Sequence, residues 1–220
     1  MAEAQRGLAH QFDSLAQQRE SSNLGMWLFL VTEIMFFGGM FLAYLVYRSR
    51  FPTAFAAGSH ELDVVLGGIN TAVLIGSSLT MAMAVRSAQL GRSRAIVLFL
   101  LLTMALGGTF LGIKVVEYGE KFEHHLVPGP GFHFEGKDKF AGVPGDRVEM
   151  FFSLYFAMTG THALHMVIGM AIMLFMLRPA WKGRWDGANH NFVEGFGLYW
   201  HFVDIVWIFL FPLLYLLGRH

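Results

Sequence analysis

Five long stretches of the chain are almost free of charge, and polar segments separate them. Each is close to the roughly 20 residues that a helix needs to cross the hydrocarbon core of a bilayer. The predicted spans cover about residues 24–47, 64–88, 95–118, 149–177 and 192–217. The pattern predicts an all-α fold, a polytopic membrane bundle of five transmembrane helices. Residues 1–23 read as a polar N-terminal segment, 24–220 as one membrane domain, and 119–148 as a long polar loop inside it.

Local signals set the expected ends. Ser21, Ser22 and Asn23 offer side-chain oxygens to the first free N–H groups of a helix starting near Leu24. Arg48 and Arg50 close that span, and Pro52 argues against helix beyond it. Arg178-Pro179 is expected to end the fourth. The second span is rich in small and hydroxylated residues, among them Gly67, Asn70, Thr71, Ser77, Ser78 and Thr80, which let helix backbones approach closely in lipid. Gly108 and Gly112 place the same kind of spacing in the third. Lys114 and Glu117 lie near the far end of that span, where long side chains can reach the headgroups. Gly and Pro punctuate the 119–148 loop, marking turns.

Ionisable residues inside the spans change the picture, because an unpaired charge there costs about 2.5–3.5 kcal/mol on insertion scales. Glu33 lies about 14 Å into its helix from the N-terminal side, at about 1.5 Å per residue. His201 falls at about the same depth, Asp204 and His165 at about 18 Å, and His162 one turn further. His162 and His165 share a helix face, as do His201 and Asp204. Glu33, His162, His165, His201 and Asp204 are therefore expected to converge on one layer. That layer has a structural reading, in which the groups pin helix contacts by hydrogen bonds. It also has a metal or haem reading, with His162, His165 and His201 as ligands. A third reading is a proton or ion path, and a fourth a lipid or substrate pocket. A small transporter would use Glu33 and Asp204 for a coupling ion, but no inverted repeat or pair of broken helices accompanies them.

Composition narrows the class. Net charge is zero, and no basic face marks a nucleic-acid partner. There is no Cys, hence no disulfide, thiolate metal site or thiol nucleophile. The first twenty residues are polar and of mixed charge, so no cleavable signal peptide is expected and the first span directs insertion. Lys and Arg are nearly balanced between the two sides. The short loops on the N-terminal side are dense in Arg and poor in acids, and short loops count most. The N-terminus is thus expected in the cytoplasm and the C-terminus outside.

Trp200-His-Phe-Val-Asp-Ile-Val-Trp207 resembles the last-helix signature of subunit III of the haem-copper oxidases. Thr161-His-Ala-Leu-His165 is similar to an element of that family's penultimate helix, and Leu28–Phe37 and Asn70–Ser78 fit its earlier helices. The motifs occur in family order from about Leu24 onward. The resemblance is to the five-helix bacterial form, which lacks the first two of the seven mitochondrial helices. It implies a non-redox accessory subunit of a bacterial plasma-membrane terminal oxidase, packed on subunit I and in complex with subunit II. No cofactor or metal would belong to this chain; haems and copper would sit in the partners. The complex would oxidise cytochrome c, reduce oxygen and pump protons. A quinol oxidase, or an accessory protein of nitric oxide reductase, is the alternative. The subunit would support proton uptake into subunit I and its stability in turnover. Bound phospholipid is implied, with Arg178, Lys182 and Arg184 near headgroup-contacting positions and Glu194 at a family position. Glu33 falls on the family's carbodiimide-reactive glutamate.

Overall fold

A computed structural model describes residues 11–136, 138–183 and 190–218. Six α-helices account for nearly all of it: α1 (Leu15–Arg50), α2 (Pro52–His60), α3 (Val64–Gln89), α4 (Ser93–Glu123), α5 (Gly145–Trp181) and α6 (Asn191–Phe211). A π-helical turn, Pro212–Leu216, follows α6. Five of the helices are long and apolar enough to cross a membrane, and no strand occurs among the described residues.

The ends differ from the sequence expectation in instructive ways. α1 begins at Leu15, where the Ser14 side chain accepts from the Gln17 N–H, so Ser21–Asn23 are interior helix residues and not a cap. α5 runs past Arg178-Pro179 to Trp181. A proline so near a C-terminus removes one N–H, and the Lys182 N–H still closes the turn on the Arg178 carbonyl at 3.3 Å. The short helix α2 stands where Pro52 argues against further helix. Pro52 stands at its first position, where the missing N–H costs nothing. α2 packs against α5, and a Cβ at Gly58 would come within 2.3 Å of the Phe151 ring, so only glycine permits that approach.

The core is formed by α3, α4, α5 and α6, and α3 and α4 are the most intimately paired. α6 is its centre, with ten of its 21 residues buried. Trp200 is fully buried, with its ring against the backbones of Gly107 on α4 and Gly169 on α5; a Cβ at Gly169 would lie 2.8 Å from it. A Cβ at Gly108 or Gly112, the glycines of the expected close-packing pattern, would meet no other element within 4 Å. α1 is peripheral. Only Leu30, Phe37 and Tyr44 are buried along its 36 residues, one seam at a seven-residue interval. Its C-terminal half is tied to the π-helical turn after α6: the Tyr44 hydroxyl donates to the Leu213 carbonyl at 2.9 Å, and Arg48 donates to the Leu217 carbonyl.

The 119–148 segment is less loop than expected. α4 extends to Glu123 and α5 begins at Gly145. The connection between them carries a 3-10 turn at Asp138–Phe140. Leu126 is buried in it, and Phe132 and Phe140 pack on Phe152 and His60.

Candidate functional site

The five intramembrane residues do not gather into one cluster. They divide into three places, and among the described residues no group of three or more His, Asp or Glu is arranged to hold a metal. Lines of sight along separate helices set depth, but each helix also has a rotation, and rotation separates these side chains.

Glu33 on α1 meets His165 on α5, with Oε2 and Nε2 at 3.1 Å. The His165 Nδ1 donates to the Thr161 carbonyl at 2.9 Å. Its Nε2 is therefore the ring nitrogen turned to the carboxyl. Both side chains keep some exposure, 18% for Glu33 and 14% for His165. They face a cleft of about 730 Å³ between α1, α5 and α6. Its walls include Phe29, Ile168, Ile172, Phe196 and Tyr199, and the Tyr199 hydroxyl donates to the His165 carbonyl at 2.8 Å.

His162, one turn from His165, is fully buried and lies elsewhere. Its Nε2 donates to the Val203 carbonyl at 3.0 Å, and its ring sits between Phe110 and Trp207. His201 and Asp204 find partners on α3. His201 Nδ1 and Ser78 Oγ are 2.7 Å apart. Ser77 and Ser78 both lie against the Asp204 carboxyl, the Ser77 contact being long at 3.5 Å. No hydrogen bond joins His201 to Asp204 among the described residues, and Asp204 Oδ2 is buried without a hydrogen-bond partner there. The same α3 face receives the indoles of α6: Trp200 Nε1 donates to Ser77 Oγ at 3.2 Å and Trp207 Nε1 to Thr71 Oγ1 at 3.1 Å. The hydroxyl-rich second span is thus the counterpart of the Trp-His-Phe-Val-Asp-Ile-Val-Trp stretch.

Lys114 and Glu117 overturn the expectation that they reach the headgroups. Lys114 is 4% exposed and Glu117 not at all. Lys114 Nζ donates to Glu117 Oε2 at 2.9 Å, Tyr215 Oη at 2.8 Å and Tyr155 Oη at 3.3 Å, which uses all three ammonium hydrogens. The Tyr155 hydroxyl donates to Glu117 Oε1 at 2.9 Å, and the Tyr215 hydroxyl donates to the same oxygen. The rings of Trp207, Tyr155, Tyr215 and Tyr118 surround the ammonium at 4.8–5.8 Å. Every donor of the cation and both oxygens of the anion are occupied. The signal for this was present in the i, i+3 spacing of the two charges; the tyrosines that complete it come from helices far away in sequence.

Arg178 and Lys182 are exposed at the end of α5, and neither lines the cleft. Arg184 lies outside the described residues. Glu194 accepts from Gln89 Nε2 at 2.6 Å and lies 3.3 Å from His190 Nε2, so it joins α3 to α6 at the surface.

Residues 9–124 and 146–219 match the family model described as cytochrome c oxidase subunit III. The chain is 36% identical over 194 residues to cytochrome c oxidase subunit 3 of Synechocystis sp., covering 88% of this chain and 74% of that protein. It is 32% identical over 215 residues to cytochrome c oxidase subunit 3 of Thermostichus vulcanus, covering 97% and 96%. It is 30% identical over 214 residues to cytochrome bo(3) ubiquinol oxidase subunit 3 of Pseudomonas aeruginosa, covering 96% and 92%. The internal unmatched stretch, 125–145, falls on the connection between α4 and α5. With five membrane-length helices and a match over almost all of them, the chain belongs to the subunit III family of the haem-copper oxidases.

Proposed function

We propose that the chain is the non-redox subunit III of a bacterial terminal oxidase that takes electrons from cytochrome c, and that it supports proton uptake into subunit I and the stability of that subunit in turnover. The haems and copper belong to its partners, subunits I and II. The chain lies in the plasma membrane with its N-terminus in the cytoplasm. The observation that carries this reading is the family match across both matched segments together. The division of Glu33, His162, His165, His201 and Asp204 among separate partners supports a role without a redox centre in this chain. It favours the structural reading for His162, His201 and Asp204, and leaves the Glu33–His165 dyad as the group that faces open space. Exposed Arg178 and Lys182 meet phospholipid headgroups at the membrane surface, with Arg184 beside them in sequence.

The test is to tag the chain, purify it gently and record the spectrum and the polypeptides that travel with it. Haem bands should accompany larger subunits and disappear when this chain is stripped away alone. The complex should oxidise reduced cytochrome c faster than a quinol. A Soret band that stays with the isolated chain, or a colourless chain without partners, would overturn the reading; quinol oxidation without cytochrome c oxidation would overturn the donor.

A further inference from the structure

The π-turn after α6 reaches helices that are remote from one another in sequence. The Leu217 N–H goes to the Pro212 carbonyl at 3.1 Å, where an α-helix would give it to the Leu213 carbonyl. The Leu213 carbonyl accepts instead from the Tyr44 hydroxyl at 2.9 Å. The Leu217 carbonyl, without a helical partner as at any helix end, accepts from Arg48. These two acceptors hold α1. Gly218 fits against α2, where a Cβ on it would lie 2.7 Å from the Ser59 Cβ and 3.1 Å from the Ala56 Cα. Tyr215 is buried and turned to α4: its hydroxyl accepts from Lys114 Nζ at 2.8 Å and donates to Glu117. The Tyr215 ring lies against Gly67 of α3, where a Cβ would come within 3.1 Å of it.

α1 needs such a tie. It packs on α2, α5 and α6 through one narrow seam, and Tyr44, the last buried residue of that seam, is also the residue that bonds the turn. α4 is in the opposite situation, deep in the core, and Lys114 and Glu117 on it depend on Tyr215 for one donor and one acceptor. We propose that residues 212–218 form a clasp that couples these two regions. Tyr215, held by the Lys114–Glu117 pair, fixes the turn, and the fixed turn holds the C-terminal end of α1. The coupling has a physical carrier. Leu213, Tyr215 and Leu217 lie within one short turn closed by its own backbone bonds, so Tyr215 does not leave α4 without carrying the Leu213 and Leu217 carbonyls away from α1. Opening is therefore a single local event that frees both sides. The clasp follows every helix it ties in chain order, so its contacts form only after those helices have been made. Glu33 lies on the same helix, about 16 Å along it from Tyr44 at about 1.5 Å per residue, so the clasp anchors the element that presents this carboxyl. The inference goes beyond the oxidase reading and rests on contacts within this chain.

The experiment is limited trypsin digestion of the detergent-solubilised complex, with the chain captured by a tag and its fragments mapped by mass spectrometry. The readout is cleavage after Arg50, an exposed residue where α1 gives way to α2. Such cleavage follows the population in which that junction is open. Cleavage after Arg92, between α3 and α4, is the internal reference. Tyr215→Phe should raise the ratio of the two about tenfold, the loss of hydrogen bonds to a charged pair, although the hydroxyl it removes is bonded to α4. Tyr155→Phe takes a hydroxyl from the same pair but outside the clasp, and should change the ratio by about twofold at most. Gly218→Ala pushes the turn off α2 and should raise the ratio about fivefold, so it carries the test if the Tyr215 variant fails to assemble. An unchanged ratio in Tyr215→Phe, or in Gly218→Ala where only that variant assembles, would overturn the proposal. So would a rise in Tyr155→Phe as large as that in Tyr215→Phe, because α1 would then report general loosening and not the clasp. Because capture is on this chain, the result stands whether or not haem subunits travel with it.

Discussion

Glu33 and Glu117 are both carboxylates inside membrane-spanning helices, and they live in opposite environments. Glu117 is sealed, with both oxygens occupied by Lys114, Tyr155 and Tyr215 and none of its surface exposed. Glu33 has one partner among the described residues, His165, and opens on a cleft. The contrast follows from the helices that carry them. Glu117 is on α4, which packs on both α3 and α5, and the π-turn after α6 brings Tyr215 over it. Glu33 is on α1, which touches the bundle through one narrow seam. An ionisable residue in a span thus needs a partner in either case. Only the packing of its helix decides whether the group is a fixed part of the core or a group that a ligand can reach.

The largest effect is expected where the sealed network is broken on one side. Glu117→Leu leaves the Lys114 ammonium and two tyrosine hydroxyls without their acceptor, a loss of about 3–5 kcal/mol for a buried pair stripped of one partner. The yield of detergent-stable chain should collapse. Lys114→Met together with Glu117→Gln removes both charges and keeps an amide oxygen for the tyrosines. It should recover most of that yield, because a buried pair replaced as a unit is often neutral. If the double variant is as poor as the single one, the network is more than an ion pair.

On the open side, Glu33→Leu should cost about 1 kcal/mol, one hydrogen bond at a site that keeps some exposure. The chain should still assemble and purify, so that any loss of turnover or active lifetime reports function and not folding. A collapse of yield like that of Glu117→Leu would erase the comparison. His201→Leu should have the smallest effect, about 0.6 kcal/mol, since it removes a contact with the Ser78 hydroxyl and leaves Asp204 beside both serines. A midpoint of unfolding in graded denaturing detergent would resolve the order of these variants.

Much of this was legible in the sequence. The charge-free runs mark five spans, because bilayer thickness fixes the length of a crossing helix. The apolar and aromatic run around Trp200–Trp207 marks the core helix, and α6 is indeed the most buried. Depth along each helix was also readable, and it places Glu33 level with His165. Rotation was not. A helix in lipid can be apolar on every side, so the periodicity that orients a helix in a soluble protein is weak here. His162 therefore faces Val203 instead of Glu33, and His201 faces α3 instead of Asp204. For the same reason Lys114 and Glu117 looked like residues reaching for the interface. Tyr155 and Tyr215, which hold them inside, lie 41 and 101 residues from Lys114, and nothing local announces the meeting. α2 has no local signal of this kind, because a nine-residue helix that starts on a proline carries neither the length nor the pattern of a span.

The most direct test of the contrast is chemical. A hydrophobic carbodiimide applied to the intact complex in membranes, followed by peptide mapping, compares the two carboxyls in one sample. The account predicts rapid modification of Glu33 and none of Glu117, with Ile172→Trp slowing the reaction at Glu33. Modification of Glu117 at a comparable rate, or an unmodified Glu33 in the folded complex, would contradict it.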